Sequence, residues 1–82
     1  MSIKDEIRQV LFSSVAKNMN VAEETLTDDT RLIKDLGAKS VDFVRILGDL
    51  EDEFDMSVPF MEFRRKETLG DCVAFVAGMF GS

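Results

Sequence analysis

Histidine, tryptophan and tyrosine are absent from the 82 residues, cysteine and proline occur once each, and basic residues number 10 against 16 acids. Each shortage removes a class of function. Without histidine there is no Ser-His-Asp triad and no side chain that ordinarily titrates near neutrality, so the chain reads as a non-enzyme. A single cysteine, Cys72, permits no internal disulfide, and without histidine it cannot build a zinc site, so no metal centre is expected. A net charge of −6 repels phosphate backbones and argues against nucleic acid. No apolar run approaches the roughly 18 residues of a membrane span. The opening MSIKDEIRQV lacks the basic-then-apolar layout of an export signal. Together with the unpaired cysteine, this points to a reducing, cytoplasmic setting.

What is present is helical periodicity. The length suits one domain, residues 1–82, with no room for a second core. Ile3, Ile7, Val10, Leu11 and Val15 recur at helical spacing behind a Ser2-Asp5 capping signal, and that helix should end near residues 18–20. Residues 19–39 are polar, with apolar anchors at Val21, Leu26, Leu32, Ile33 and Leu36. A loop this long must be packed down by its own side chains, with one short turn expected at EETL. A second helix is expected from Ser40 to Asp55, with Phe43, Ile46, Leu47, Leu50 and Phe54 on its core face. Pro59 should open a short third helix, PFMEFRRK. Thr68 and Asp71 signal the start of a last helix, with Leu69, Cys72, Val73, Val76 and Phe80 inward and glycines 78 and 81 ending it. No stretch alternates at the strand period. The expected fold is all-α: a small four-helix bundle, three helices longer and the third short, with a long loop between the first two.

Charge is concentrated on the second helix. Residues 40–55 hold six acids and one base, Arg45, a net −5 of the chain's −6. Acids three or four apart repel, and those in the last turn oppose the helix dipole, so this pattern costs the helix stability. It is therefore read as a surface for a basic partner. The run DLEDEFD, 49–55, has neither the spacing nor the mid-loop glycine of a calcium loop. Away from the core face lie Val41, Val44, Arg45, Gly48 and Asp52, two apolar side chains beside acids, which form either a docking surface or ordinary scattered exposure. Ser40 stands at the helix start after a glycine turn. It is either an N-cap, without a reciprocal capping box because Phe43 sits where Glu or Gln would help, or a residue presented to another protein. Cys72 reads as a core hydrophobe.

DLGAKSVDFVRILGDLEDEFDMSVP, residues 35–59, closely resembles the segment around the modification site of acyl carrier proteins. Asp35-Leu36-Gly37, Ser40, the acids of 49–53, Phe54 and Pro59 fall in register with the family pattern, and the helix order over the whole chain is similar. The resemblance implies that Ser40 carries 4'-phosphopantetheine, attached covalently from coenzyme A by a phosphopantetheinyl transferase. The arm's thiol would carry acyl groups as thioesters between enzymes of fatty-acid, lipid or polyketide-type biosynthesis. It implies a monomer whose partner-binding residues are Val41, Val44, Arg45, Asp49, Glu51 and Asp52, docking on basic patches of acyl-transfer and chain-elongation enzymes. A peptidyl or aminoacyl carrier and an unmodified helical interaction domain are the alternatives.

Departures from the pattern are local. Lys39 stands where the family has aspartate, Val41 replaces leucine, and Arg45 occupies a usually acidic position. The third helix offers Phe60, Met61 and Phe63 before Arg64, Arg65 and Lys66. With Phe43, Ile46 and Leu47, these apolar residues are candidates for an acyl pocket between the second and third helices, the other reading being an ordinary core with a solvated basic tail. The departures suggest a specialised member serving a dedicated pathway rather than a housekeeping one.

Overall fold

The computed structural model describes residues 2–80. Its elements are α1 (Ile3–Met19), a single 3-10 turn (Glu23–Thr25), α2 (Ser40–Phe54), α3 (Phe60–Arg64) and α4 (Leu69–Phe80). Among the described residues the only β pairing is an isolated bridge between Arg31 and Thr68. The expected all-α bundle with its long first loop is what forms.

Local chemistry sets each boundary. The Ser2 hydroxyl accepts from the Asp5 N–H at 3.2 Å, and Asp5 and Glu6 lie at the positive end of the α1 dipole. Helix α1 closes where Asn20 turns left-handed, φ 57°, and its N–H reaches the Ala16 carbonyl. The Thr68 hydroxyl accepts from the Asp71 N–H at 3.1 Å and caps α4. Pro59 precedes α3 rather than occupying its first turn, and α3 stops at Arg64. Helix α4 continues through Gly78 to Phe80; Gly81, expected to end it, lies outside the described residues.

The core follows from the apolar stripes. Helix α1 buries Ile7, Leu11 and Val15 against α2 and α4, which bury Phe43, Ile46, Leu47 and Leu50 and Leu69, Cys72, Val73 and Val76. Burying each of the larger side chains contributes about 1.5–3 kcal/mol. Phe80, expected inward, is 41% exposed. Its ring still meets Phe54 edge to face, with centroids 5.8 Å apart.

The long loop is tied down at several points. Arg8 of α1 donates through Nε and Nη2 to the two carboxylate oxygens of Asp28, each at 3.1 Å. The Leu69 N–H donates to the Thr30 carbonyl and the Gly70 N–H to the Asp28 carbonyl, both at 2.9 Å. Glycine at position 70 allows this close approach: a Cβ there would lie 3.0 Å from Asp28 Cβ and 3.1 Å from its carbonyl oxygen, so Asp28 would have to give by a few tenths of an ångström. Leu26 and Leu32 are buried, while Val21 and Leu36 are half-buried. Ile33 is the exception among the expected anchors, 48% exposed. Adjacent residues of one tight turn cannot both face inward, and Leu32 holds the inner position.

Candidate functional site

The approach to Ser40 is a compact turn built by the residues just before it. Asp35 accepts from the Arg31 backbone N–H at 2.8 Å, and its other oxygen takes Arg31 Nη2 at 3.2 Å. These bonds, the backbone one first, hold the Asp35 carboxyl below the usual carboxylate range. The Gly37 N–H donates to the Ile33 carbonyl at 2.9 Å and the Ala38 N–H to the Leu32 carbonyl at 3.0 Å. Gly37 has φ 71°, a left-handed conformation that an L side chain would strain. Ala38 is then buried, and the chain emerges with Lys39 and Ser40 on the surface.

Ser40 is the first residue of α2, and its cap is the preceding residue. Lys39 has the extended N-cap conformation. The Asp42 carboxylate accepts from the Lys39 backbone N–H at 2.9 Å, the returning half of a capping box. The reciprocal acid expected to be missing is therefore present, one position earlier than a cap at Ser40 would place it. The Asp42 and Phe43 N–H groups donate to the Lys39 carbonyl at 2.9 and 3.1 Å. The N–H groups of Ser40 and Val41 and the Ser40 hydroxyl make no hydrogen bond among the described residues. An exposed hydroxyl beside two unpaired amides at a helix start suits a covalently attached anionic phosphodiester, because the amides and the dipole both favour negative charge.

The six expected docking residues divide into two groups. Val41 and Val44 are 52% and 58% exposed, and Arg45 and Asp52 are also on the surface, forming one outward face of α2. Asp49 turns to α1 instead: it accepts from the Ser14 hydroxyl at 2.6 Å, and Lys17 Nζ lies 3.3 Å away. The Ser14 hydrogen bond is the main reason its carboxyl is held below the usual range, with Lys17 and Asn18 assisting against partial burial. Glu51 folds back to accept from the Val58 N–H at 2.8 Å, fixing the chain after α2. The pocket candidates also separate. Phe43, Ile46, Leu47 and Phe63 are core, with 4% exposure at most, and the Phe43 and Phe63 rings meet edge to face at 6.2 Å. Phe60 is half-buried, and Met61 is 59% exposed.

A family model described as a phosphopantetheine attachment site matches residues 9–76. Proteins named acyl carrier protein match nearly end to end. The protein of Thermotoga maritima is 32% identical over 81 residues, covering 99% of this chain and 100% of that one. That of Lactobacillus acidophilus is 33% identical over 73 residues, 89% of this chain and 91% of that one. That of Borreliella burgdorferi is 36% identical over 72 residues, 88% and 90% respectively. The chain belongs to the acyl carrier protein family. It is a carrier, not a catalyst, and its cofactor is covalent 4'-phosphopantetheine.

Membership gives the local geometry its meaning. Asp35 and Gly37 shape the turn that delivers an exposed serine to the helix start, and Asp42 caps that helix without occupying the serine. Sequence reading treated Asp42 and Glu51 as surface charge. The available signal was Asp42 three residues after Lys39, the spacing of a reciprocal cap; nothing in the sequence marked Glu51 as a partner of Val58.

Proposed function

We propose that Ser40 is the attachment site and that residues 1–82 act as one cytoplasmic, monomeric carrier domain. The domain passes acyl groups among enzymes of fatty-acid, lipid or polyketide-type biosynthesis. The observation that carries this reading is the exposed Ser40 hydroxyl, unbonded within the chain, on the first residue of α2. When bound, the cofactor supplies a terminal thiol that holds an acyl group as a thioester.

This chain's residues present the serine, and none of them activates it. With no histidine in the sequence, the proton of the Ser40 hydroxyl has to be taken by the phosphopantetheinyl transferase. The unpaired Ser40 and Val41 amides can then donate to the phosphodiester oxygens. The adjacent Lys39 ammonium adds a cation where an acid would repel the phosphate. Outward Val41 and Val44, with Arg45, Asp52 and the neighbouring exposed Glu53, supply an apolar face edged by charge for enzymes with basic docking patches. Asp49 and Glu51 support that face from within, since both carboxylates are engaged by the chain itself.

Lys39, Arg45 and the basic end of α3 support a specialised role, because partners selecting an acidic first turn meet a less negative one here. Entry of an acyl chain between α2 and α3 has to part Phe43 from Phe63, with Met61 and Phe60 at the margin. The decisive experiment incubates the protein with coenzyme A and a broad-specificity phosphopantetheinyl transferase and compares intact masses with those of Ser40→Ala. Gain of the phosphopantetheine mass by the parent alone is expected; no gain, or a gain retained in Ser40→Ala, refutes the assignment. Efficient use of the loaded protein by general fatty-acid elongation enzymes would refute the specialised role.

A further inference from the structure

The acidic face of α2 accounts for most of the net charge, yet the chain also has a basic surface that the carrier role does not use. Arg31, Lys34, Arg65 and Lys66, with the acid Glu67, line one cleft of about 210 Å³ whose apolar contribution includes Ile33. The bases come from two segments some thirty residues apart in sequence. They are joined by the Arg31–Thr68 bridge and by the Leu69 N–H to Thr30 carbonyl bond at 2.9 Å. Asp35 neutralises Arg31 in part, at 3.2 Å.

The cleft is held in shape from both sides. Lys66 Nζ sits 4.9 Å above the Phe75 ring, and Arg64 Cζ lies 6.0 Å from the centroid of Phe43. These cation–π contacts pin the end of α3 to α4 and α2 while leaving Arg65 exposed between them. Ile33, turned outward because Leu32 takes the inner position, is 48% exposed and lies among four bases, with Glu67 the one acid lining the cleft. At ordinary salt the Debye length is about 10 Å, so an approaching segment responds to these nearby bases more than to the acids of α2.

We propose that this cleft is a second docking surface, which takes an acidic segment of a partner protein bearing one large apolar side chain. Ile33 receives the apolar group, while Lys34, Arg65 and Lys66 meet its flanking carboxylates. A second copy of this chain, offering its own acidic α2 with exposed Val41 and Val44, is the competing occupant, and a dimer lost in Lys34→Glu/Arg65→Glu would overturn the assignment to a partner protein. The surface does not depend on the arm, so it stands or falls separately from the modification of Ser40.

The test uses isotope-labelled Ser40→Ala protein, which cannot be modified at that position, titrated with a short synthetic peptide of glutamates around a single leucine. Amide shifts confined to Ile33, Lys34, Lys66, Glu67 and their neighbours are expected, fading as salt is added. Binding should weaken roughly fivefold or more in Lys34→Glu/Arg65→Glu, the loss two charge reversals can bring at an exposed surface. It should also weaken in Ile33→Ser, and circular dichroism identifies any variant that fails to fold. Absent shifts, shifts spread evenly over every base, or binding indifferent to Ile33→Ser would overturn the proposal. So would capture of the same surface by phosphatidylglycerol vesicles while the peptide leaves it untouched.

Discussion

Asp49 shows how one carboxylate on the charged helix serves the fold. Ser14 is 4% exposed, and its hydroxyl is satisfied by Asp49 at 2.6 Å, with Asn18 Nδ2 as a weaker second partner at 3.2 Å. Asp49→Ala leaves the Ser14 O–H without its acceptor, since Asn18 Nδ2 only donates to the Ser14 oxygen. The substitution should cost roughly 1–3 kcal/mol, the range for an unsatisfied buried polar group. Urea unfolding of the two proteins measures this. Asp49→Asn keeps an acceptor for Ser14 and should lose less. Ser40 presents the contrast: its hydroxyl contributes no hydrogen bond to the fold, so Ser40→Ala should melt within about a degree of the parent while losing the modification. A large drop in melting temperature would mean that the serine is a structural cap after all.

At the scale of elements, the joints between helices depend on backbone geometry. Gly37, at φ 71°, turns the loop into α2, and Gly37→Ala should destabilise by about 1 kcal/mol because the left-handed region penalises a Cβ. Gly70 admits the loop at Asp28 with contacts that a Cβ would tighten to 3.0 and 3.1 Å. Part of that pressure falls on backbone, so the loop has to shift. Gly70→Ala should therefore raise amide exchange at residues 28–31 more than in α1, which hydrogen-exchange mass spectrometry can resolve. Equal change throughout would show that the loop and the helices open as one unit. Thr68→Ala removes the α4 cap and should cost about 1 kcal/mol.

For the molecule as a whole, two carboxylates shape the response to acid. Asp35 and Asp49 are both held below the ordinary aspartate range when folded. Their stabilisation is complete above the unfolded value, near 3.9, and is lost as pH falls through the lower folded values. Stability should thus fall below about pH 4, and Asp49→Asn should flatten that fall; an unchanged slope would remove Asp49 from the account. Cys72 reports on global opening. Burial, with Asp71 nearby, pushes its thiol up to about 12. Alkylation at neutral pH should then proceed only through unfolded or opened molecules, at a rate that rises with urea.

The order of the residues is enough for the helices, for most of the inward stripes of α1, α2 and α4, and for Ser40 as the residue to question. Those properties reside in spacing and composition, which short-range physics reads directly. Which charges are free depends on contacts made across the fold. Asp49 and Glu51 share a helix with Asp52, but distant partners, Ser14 and the Val58 N–H, claim the first two. Periodicity gives the direction of a side chain from its own helix and carries no information about what arrives opposite. The same limit placed Ile33 among the anchors, since only the folded turn assigns the inner position to Leu32. It also hid the basic cleft, whose residues become neighbours only when the long loop is tied to the start of α4.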